Sequence, residues 1–265
     1  MSHPLVSVMV ITYNQSNYIA DCIDSILLQD YPNIEIIIAD DASTDGTQDI
    51  LNGYLAKYSN IVTLRLSTEN KGITHNSNLA LSFCNGKYIA FTGGDDVFMP
   101  NKIAKQVDWL EANKERSLCG HDAIWIDEFG NDLDVCSSDL IPISTGRGCC
   151  GVIRHGPPFP SSSMMFRVDN IPKYGFHPKL AIISDWKFMI DIVSDGSIYG
   201  FIDGIYLQYR SHPNSVTNQN SFKLYRDQLN TFLLSVWQHR GKYSICWVTF
   251  FIFGVRRKIS NFFIG

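Results

Sequence analysis

Apolar, β-branched runs alternating with helix-periodic segments predict an α/β fold, a single domain on a mostly parallel central sheet. Three observations carry this. The runs 5–12, 34–39 and 87–94 are nearly continuous in apolar residues, as in strands buried on both faces. The segments between them repeat apolar residues at helical spacing. Polar clusters stand where the first, second and fourth strands end, and ligand sites of such sheets lie beyond the carboxyl ends of the strands.

The elements follow in order. "LVSVMVIT" (5–12) is the first strand, and "NQSNYIADCIDSILLQD" the first helix, with Ser16 or Asn17 as N-cap and Ile19, Ile23, Ile26 and Leu27 on its apolar face. A turn at "YPN" leads to a second strand, Ile34–Ala39, and "STDGTQDILNGYLAKYS" reads as an N-capped second helix. "IVTLRLST" is a third strand, "GITHNSNLALSFCNG" a third helix stopping at Asn85–Gly86, and "KYIAFTGG" a fourth strand. "NKIAKQVDWLEANKER" continues as a helix, "SLCGHDAIWID" as a strand, and Glu128–Asn131 as a hairpin turn. "VCSSDLIPISTGRGCCGVIRHGPPFPSSS" is irregular, and its Gly, Pro and Ser content suggests a mobile segment beside the strand ends. "SSSMMFRV" reads as a strand, "SDWKFMIDIVSDG" as a helix from Ser184, and "SIYGFIDGIYLQYRSH" as a final strand pair.

A net charge of −4 on 265 residues, with no long basic stripe in the body, argues against a nucleic-acid partner. Seven scattered cysteines, with "CC" in place of CxxC, read as reduced cytosolic thiols. The first residues offer no charged n-region and no long apolar segment, so no signal peptide is expected. No acid follows Asp227, whereas Arg240, Lys242, Arg256, Arg257 and Lys258 flank the 13-residue "YSICWVTFFIFGV". That run is shorter than the roughly 20 residues of a membrane span. Its aromatic and basic character fits a segment lying in a membrane interface, and a helix packed on the core is the alternative.

The strand ends carry the chemistry. Asp95 and Asp96, adjacent after Gly93-Gly94, are costly unless a cation neutralises them, and Mg²⁺ or Mn²⁺ suits carboxylate oxygen. An Asx turn with both acids in water is the other reading. Asp40 and Asp41 can accept hydrogen bonds from a base or ribose, and Tyr13, between Thr12 and Asn14, can stack on a planar ring. No P-loop and no GxGxxG is present, so a diphosphate would meet metal and side chains. Asp185, at a helix start, can take a proton from an attacking hydroxyl or merely complement the helix dipole. In "YRSHPNS", Arg210 can meet phosphate and His212 can complete a metal shell.

"VSVMVITYNQSNYIADCIDSILLQDYPNIEIIIADDASTDGT" and "NKGITHNSNLALSFCNGKYIAFTGGDDVFMPNKIAKQVDWLEAN" resemble the family 2 glycosyltransferases of the GT-A fold. The resemblance is strong over 1–130, moderate around 155–216 and absent in the tail. It implies a GT-A domain at 1–235, with 1–100 binding nucleotide and 101–235 binding acceptor, followed by a basic, aromatic amphipathic tail at 236–265. It implies transfer of a sugar from a nucleotide diphosphate, UDP-linked, with Mn²⁺ or Mg²⁺ as cofactor. Asp185 falls on the catalytic base of inverting members. Thr12, Tyr13, Asn14, Asp40, Asp41, Asn78, Gly94, Asp95 and Arg210 fall with the nucleotide sugar, and Asp95, Asp96 and His212 with the metal. Two departures stand out: Gly93 replaces the first acid of the usual DxD, and Ser184 replaces the acid before the base.

The resemblance and the tail together imply an undecaprenyl-diphosphate-linked saccharide as acceptor, in O-antigen or capsule synthesis. The expected location is cytoplasmic, peripheral to the inner membrane. A nucleotidyltransferase would need a Gly-, Arg- or Lys-bearing loop where this chain has "YNQSNY". A non-catalytic protein on the same fold would not need its four acids.

Overall fold

The computed structural model describes residues 3–141, 143–215 and 221–239. In chain order its elements are β1 (Val6–Thr12), α1 (Ile19–Leu27), β2 (Ile34–Asp40), α2 (Thr47–Lys57), β3 (Val62–Leu66), α3 (Ile73–Leu81), β4 (Tyr88–Gly93), β5 (Val97–Phe98) and α4 (Lys102–Glu111). There follow β6 (Arg116–Ile126), β7 (Asp132–Cys136), α5 (Ser137–Leu140), β8 (Gly146–Arg147), α6 (Cys149–His155), β9 (Met165–Arg167), α7 (Ser184–Ile192), β10 (Ile198–Arg210) and α8 (Ser221–His239).

One sheet runs in the order β3-β2-β1-β4-β9-β6-β10-β5. The first four strands are mutually parallel, β6 and β10 are parallel to each other, and β9 is antiparallel to both its neighbours. The α/β expectation therefore holds, with a mostly parallel mixed sheet. All seven residues of β1 are buried, because helices cover both faces. Val6, Val8 and Val10 pack with Ile36 and Ile38 under α1, α2 and α4. Met9 and Ile11, pointing the other way, pack with Ile37 and Ala39 under α3, α6 and α7. Each such side chain contributes about 1.5–3 kcal/mol by leaving water.

Several local expectations are corrected. The first helix begins at Ile19 after Tyr18, with no side-chain cap. Ser16 and Asn17 lie outside it, and Ser16 N–H donates instead to Asp45 Oδ2 at 2.9 Å, joining the two strand-end loops. The third helix stops at Leu81, not at Asn85–Gly86. Gly86 serves close approach, since a Cβ there would stand 2.5 Å from Ser7 N. "SIYGFIDGIYLQYRSH" contains one long strand rather than a pair: Asp203-Gly204 forms a bulge, Gly204 at φ +119, and pairing with β6 resumes beyond it. "SSS" is a 3₁₀ turn, Ser161–Ser163, ahead of the short β9.

The segment expected to be irregular and mobile is largely built in. It holds β8 and α6, and Cys149, Val152, Ile153 and Phe159 are core residues. Cys150 is disulfide-bonded, against the reading of every cysteine as reduced; spacing along a chain does not reveal which sulfurs meet in space. Helix α8 runs across the 235/236 boundary, and the rest of the expected tail, 240–265, lies outside the described residues. Among the described residues no helix is long and apolar enough to cross a membrane.

Candidate active site

The parallel register sets Thr12 beside Asp40 and Ile11 beside Gly93, so the three polar clusters share one edge. Asn14, at φ +52, ties that edge together. Its N–H donates to Ser43 Oγ at 2.7 Å, and its Oδ1 accepts from Thr44 N at 2.9 Å. A left-handed backbone is tolerated by Asn, whose short side chain bonds locally. The neighbouring Tyr13 ring is exposed. Thr12 is buried, and Asn76 of α3 clasps the ends of β1 and β2, its Nδ2 donating to Ala39 O at 2.8 Å and Thr12 O at 3.3 Å.

The first acid pair, expected with the base or ribose, is buried. Asp40 is fully buried and accepts from Ser43 N, the Ser43 hydroxyl and Gln48 Nε2. Asp41 spans two amides, Lys71 N at 2.9 Å and Gly72 N at 2.7 Å, holding the entry to α3. Buried and hydrogen-bonded, these carboxylates brace the strand-end loops. Asn78, expected with the nucleotide sugar, points elsewhere: its amide pairs with both the N–H and the C=O of Phe176 at 2.8 Å.

The second pair is divided. Gly94 permits a tight turn, since a Cβ would stand 2.7 Å from Ile19 Cδ1 and 3.0 Å from Thr12 Cβ. Asp96, expected as a metal ligand, is buried; its Oδ1 accepts from Arg210 N at 2.9 Å, and it bonds the Ser162 hydroxyl. Burial and the charge of Asp95 push its carboxyl well above the usual carboxylate range, against the pull of Ser162 and Arg210. Asp95 is the outward acid, 19% exposed at its side chain, with His212 Nε2 3.0 Å from its Oδ2. Tyr18 lies against the His212 ring, centroids 4.9 Å apart.

Arg210, expected to meet phosphate, is buried beside the Asp95-Asp96 turn. Its buried guanidinium donates to the carbonyls of Asp95 at 2.9 Å and Glu128 at 3.3 Å and pairs with Asp21 Oδ2 at 3.3 Å. It thereby locks the Gly93–Asp96 turn to α1 and to the hairpin after β6.

Asp185 opens α7 and is partly buried; its Oδ2 accepts from the Ser161 hydroxyl and its Oδ1 from Trp186 N at 2.8 Å. Burial raises its carboxyl pKa, and these hydrogen bonds hold it down. Ser162, the next residue, accepts from Gly93 N at 3.3 Å. The hydroxyls of Ser161 and Ser162 thus connect Asp185 to the GDD turn. Sequence reasoning missed both serines; three hydroxyls in a row behind a proline were the available signal.

The donor set suits a divalent cation in part. A carboxylate oxygen and an imidazole nitrogen stand side by side at Asp95 and His212, and a cation there would relieve the repulsion acting on Asp96. Among the described residues no three His, Cys, Asp or Glu side chains gather as a metal shell. The residues fit a cation held by Asp95 and His212 and completed by a ligand's oxygens.

Comparison with known proteins agrees with this architecture. A model described as "Glycosyl transferase family 2" matches residues 7–133. The chain is 30% identical over 248 residues to "Uncharacterized glycosyltransferase RP339" of Rickettsia prowazekii, covering 87% of this chain and 72% of that one. It is 37% identical over 166 residues to "Putative glycosyltransferase EpsE" of Bacillus subtilis, covering 63% of this chain and only 57% of that relative. It is 41% identical over 110 residues to "UDP-Glc:alpha-D-GlcNAc-diphosphoundecaprenol beta-1,3-glucosyltransferase WfaP" of Escherichia coli, covering 42% and 43%. In fold it is similar to S. aureus TarS 1-349 in complex with UDP-GlcNAc, with a TM-score of 0.69, 18% identity, and 87% of this chain and 65% of that chain covered.

Proposed function

This chain belongs to the family 2 glycosyltransferases, and from that premise we propose that it moves a sugar from a UDP-linked donor to a hydroxyl of a lipid-diphosphate-linked saccharide, in assembly of a bacterial surface polysaccharide. One observation carries the reading: the outward acid and the proton acceptor are tied together. Asp95 belongs to the turn held by Ser162, and Asp185 is bonded by the adjacent Ser161.

The reaction is a single, inverting displacement. The acceptor hydroxyl attacks the anomeric carbon as the bond to the diphosphate oxygen breaks, and its proton passes to a carboxylate oxygen of Asp185. UDP leaves with the bonding electrons. Mn²⁺ or Mg²⁺, held by Asp95 and His212, would neutralise the diphosphate. Tyr13, exposed beside the strand ends, stacks on the base. Asn14, Asp40, Asp41 and Arg210 keep the edge rigid without touching donor, and Gly94 lets the donor approach the backbone. Residues 1–100 serve the donor and 101–235 the acceptor.

The names of relatives support the substrate classes: WfaP is named for a UDP-glucose donor and a diphosphoundecaprenol-linked GlcNAc, and TarS was crystallised with UDP-GlcNAc. The basic, aromatic run beyond His239 supports docking at the inner leaflet, where such an acceptor resides. The nucleotidyltransferase reading has little support, since Tyr13–Tyr18 offers no Gly, Arg or Lys to hold a triphosphate.

The test is release of UDP from a panel of UDP-sugars with Mn²⁺ and GlcNAc-diphosphoundecaprenol. One donor is expected to turn over, and Asp185→Asn to slow it about 10³-fold while leaving donor binding by calorimetry unchanged. Near-normal turnover by Asp185→Asn would refute the base assignment. Donor binding with no release from any donor–acceptor pair would favour a non-catalytic protein.

A further inference from the structure

The turn Ser161–Ser163 has a property that a strand in its place would lack. A 3₁₀ turn has three residues per revolution, so three successive side chains leave it in three directions. Here each hydroxyl meets a different part of the molecule. Ser161 donates to Asp185 Oδ2 at the start of α7. Ser162 accepts from Gly93 N at the end of β4 and bonds Asp96. Ser163 accepts from His121 N of β6 at 3.4 Å and donates to Pro160 O at 2.7 Å. The Ser163 carbonyl accepts from Gln106 Nε2 of α4 at 2.7 Å. Ser162 and Ser163 are buried, whereas Ser161 is partly exposed on the side of Asp185.

We infer that Ser161 is the positioning residue for Asp185: its hydroxyl, fixed by a turn that Ser162 and Ser163 anchor to the sheet, aims the carboxylate. The inference rests on Asp185 being the proton acceptor. Two hydrogen bonds divide the carboxylate, Trp186 N on Oδ1 and Ser161 on Oδ2. Only the second comes from outside α7, so only it ties the acid to the donor-side turn. The Thr74 and Ser184 hydroxyls also meet at that helix end, 2.9 Å apart, and the Asp227 carboxylate accepts from Ala181 N and Ile182 N just before it.

Charged and titratable side chains on the elements around α7 include His75 of α3, Arg154 and His155 of α6, Lys187 and Asp191 of α7 itself, Arg226 and Asp227 of α8, and Arg116, His121 and Asp122 of β6. None of them is among the influences on Asp185, which are its burial, the Ser161 hydroxyl and the amides of Trp186 and Asp185. A hydroxyl that donates to a carboxylate stabilises the charged form, so removing it favours the protonated acid.

The experiment is an NMR titration of the full chain labelled with ¹³C at aspartate, the Asp185 carboxyl being identified by its loss in Asp185→Asn. Ser161→Ala is expected to raise the Asp185 midpoint by about one pH unit, a tenfold loss of acidity. Ser161→Thr, which keeps the hydroxyl, is expected to restore it. An unmoved midpoint in Ser161→Ala, or an equal rise in Ser161→Thr, would overturn the inference. The base assignment fails separately: if Asp185→Asn still turns over, that reading is wrong whatever the titration gives. If Asp185→Asn is inactive and the midpoint does not move, only the role of Ser161 is wrong.

Discussion

Two adjacent acid pairs end the parallel strands on either side of β1, Asp40-Asp41 after β2 and Asp95-Asp96 beyond β4, and the protein places them in opposite ways. The first pair is buried: both carboxylates accept from amides and side chains of the chain, and together they clamp the turn at Ser43 and the loop entering α3. The second pair is split, Asp96 inward on Arg210 N and Ser162, Asp95 outward beside His212. Two like charges are tolerable side by side when backbone amides absorb them, as at Asp41, or when one is buried at a raised pKa and the other reaches water. The same dipeptide can therefore be scaffold or site, and its hydrogen-bond partners decide which.

Substitutions can break that contrast. The largest effect is expected at Asp95. Asp95→Asn should lower turnover about 10²-fold, with an unchanged urea midpoint, because Arg210 holds the Asp95 carbonyl and not its carboxylate. Wild-type turnover would make the outward acid as structural as the first pair. Next comes Asp41→Ala, which strips the acceptors from Lys71 N and Gly72 N. A loss of about 1–3 kcal/mol of unfolding free energy is expected in urea, and an undiminished stability with lost donor affinity would reverse the assignment. The smallest change is expected at Ala42, which follows that pair with φ +64. An L-residue is strained there, so Ala42→Gly should gain about 0.5–1 kcal/mol in thermal unfolding, part of the relief being offset by glycine's entropy in the unfolded chain. A loss on that substitution would mean that the loop is held by Ala42's side chain.

Much of the edge was legible in the sequence. Continuous apolar runs gave β1, β2 and β4 to within a residue, and the parallel arrangement placed Thr12, Asp40 and Gly93 together. Less legible were the elements whose form depends on distant partners. Ser161–Ser163 has the look of a strand start, yet its hydroxyls are claimed by α7, β4 and β6. The glycine in "IDGI" has the look of a turn, yet β6 continues alongside and turns it into a bulge. Nor does "YRSH" reveal that Arg210 is buried with its guanidinium on the carbonyls of Asp95 and Glu128, both distant along the chain.

What the sequence determined by itself was the α/β class, the order of the first strands and helices, and the edge on which the acids gather. Those follow from periodicity and strand direction, which are local properties of the chain. What only the tertiary structure decided was which acids are buried among partners of the chain and which are partly exposed. A carboxylate's role depends on the amides and hydroxyls that reach it, and Lys71, Gly72, Ser161, Ser162 and Arg210 reach theirs from 24 to 114 residues away along the chain.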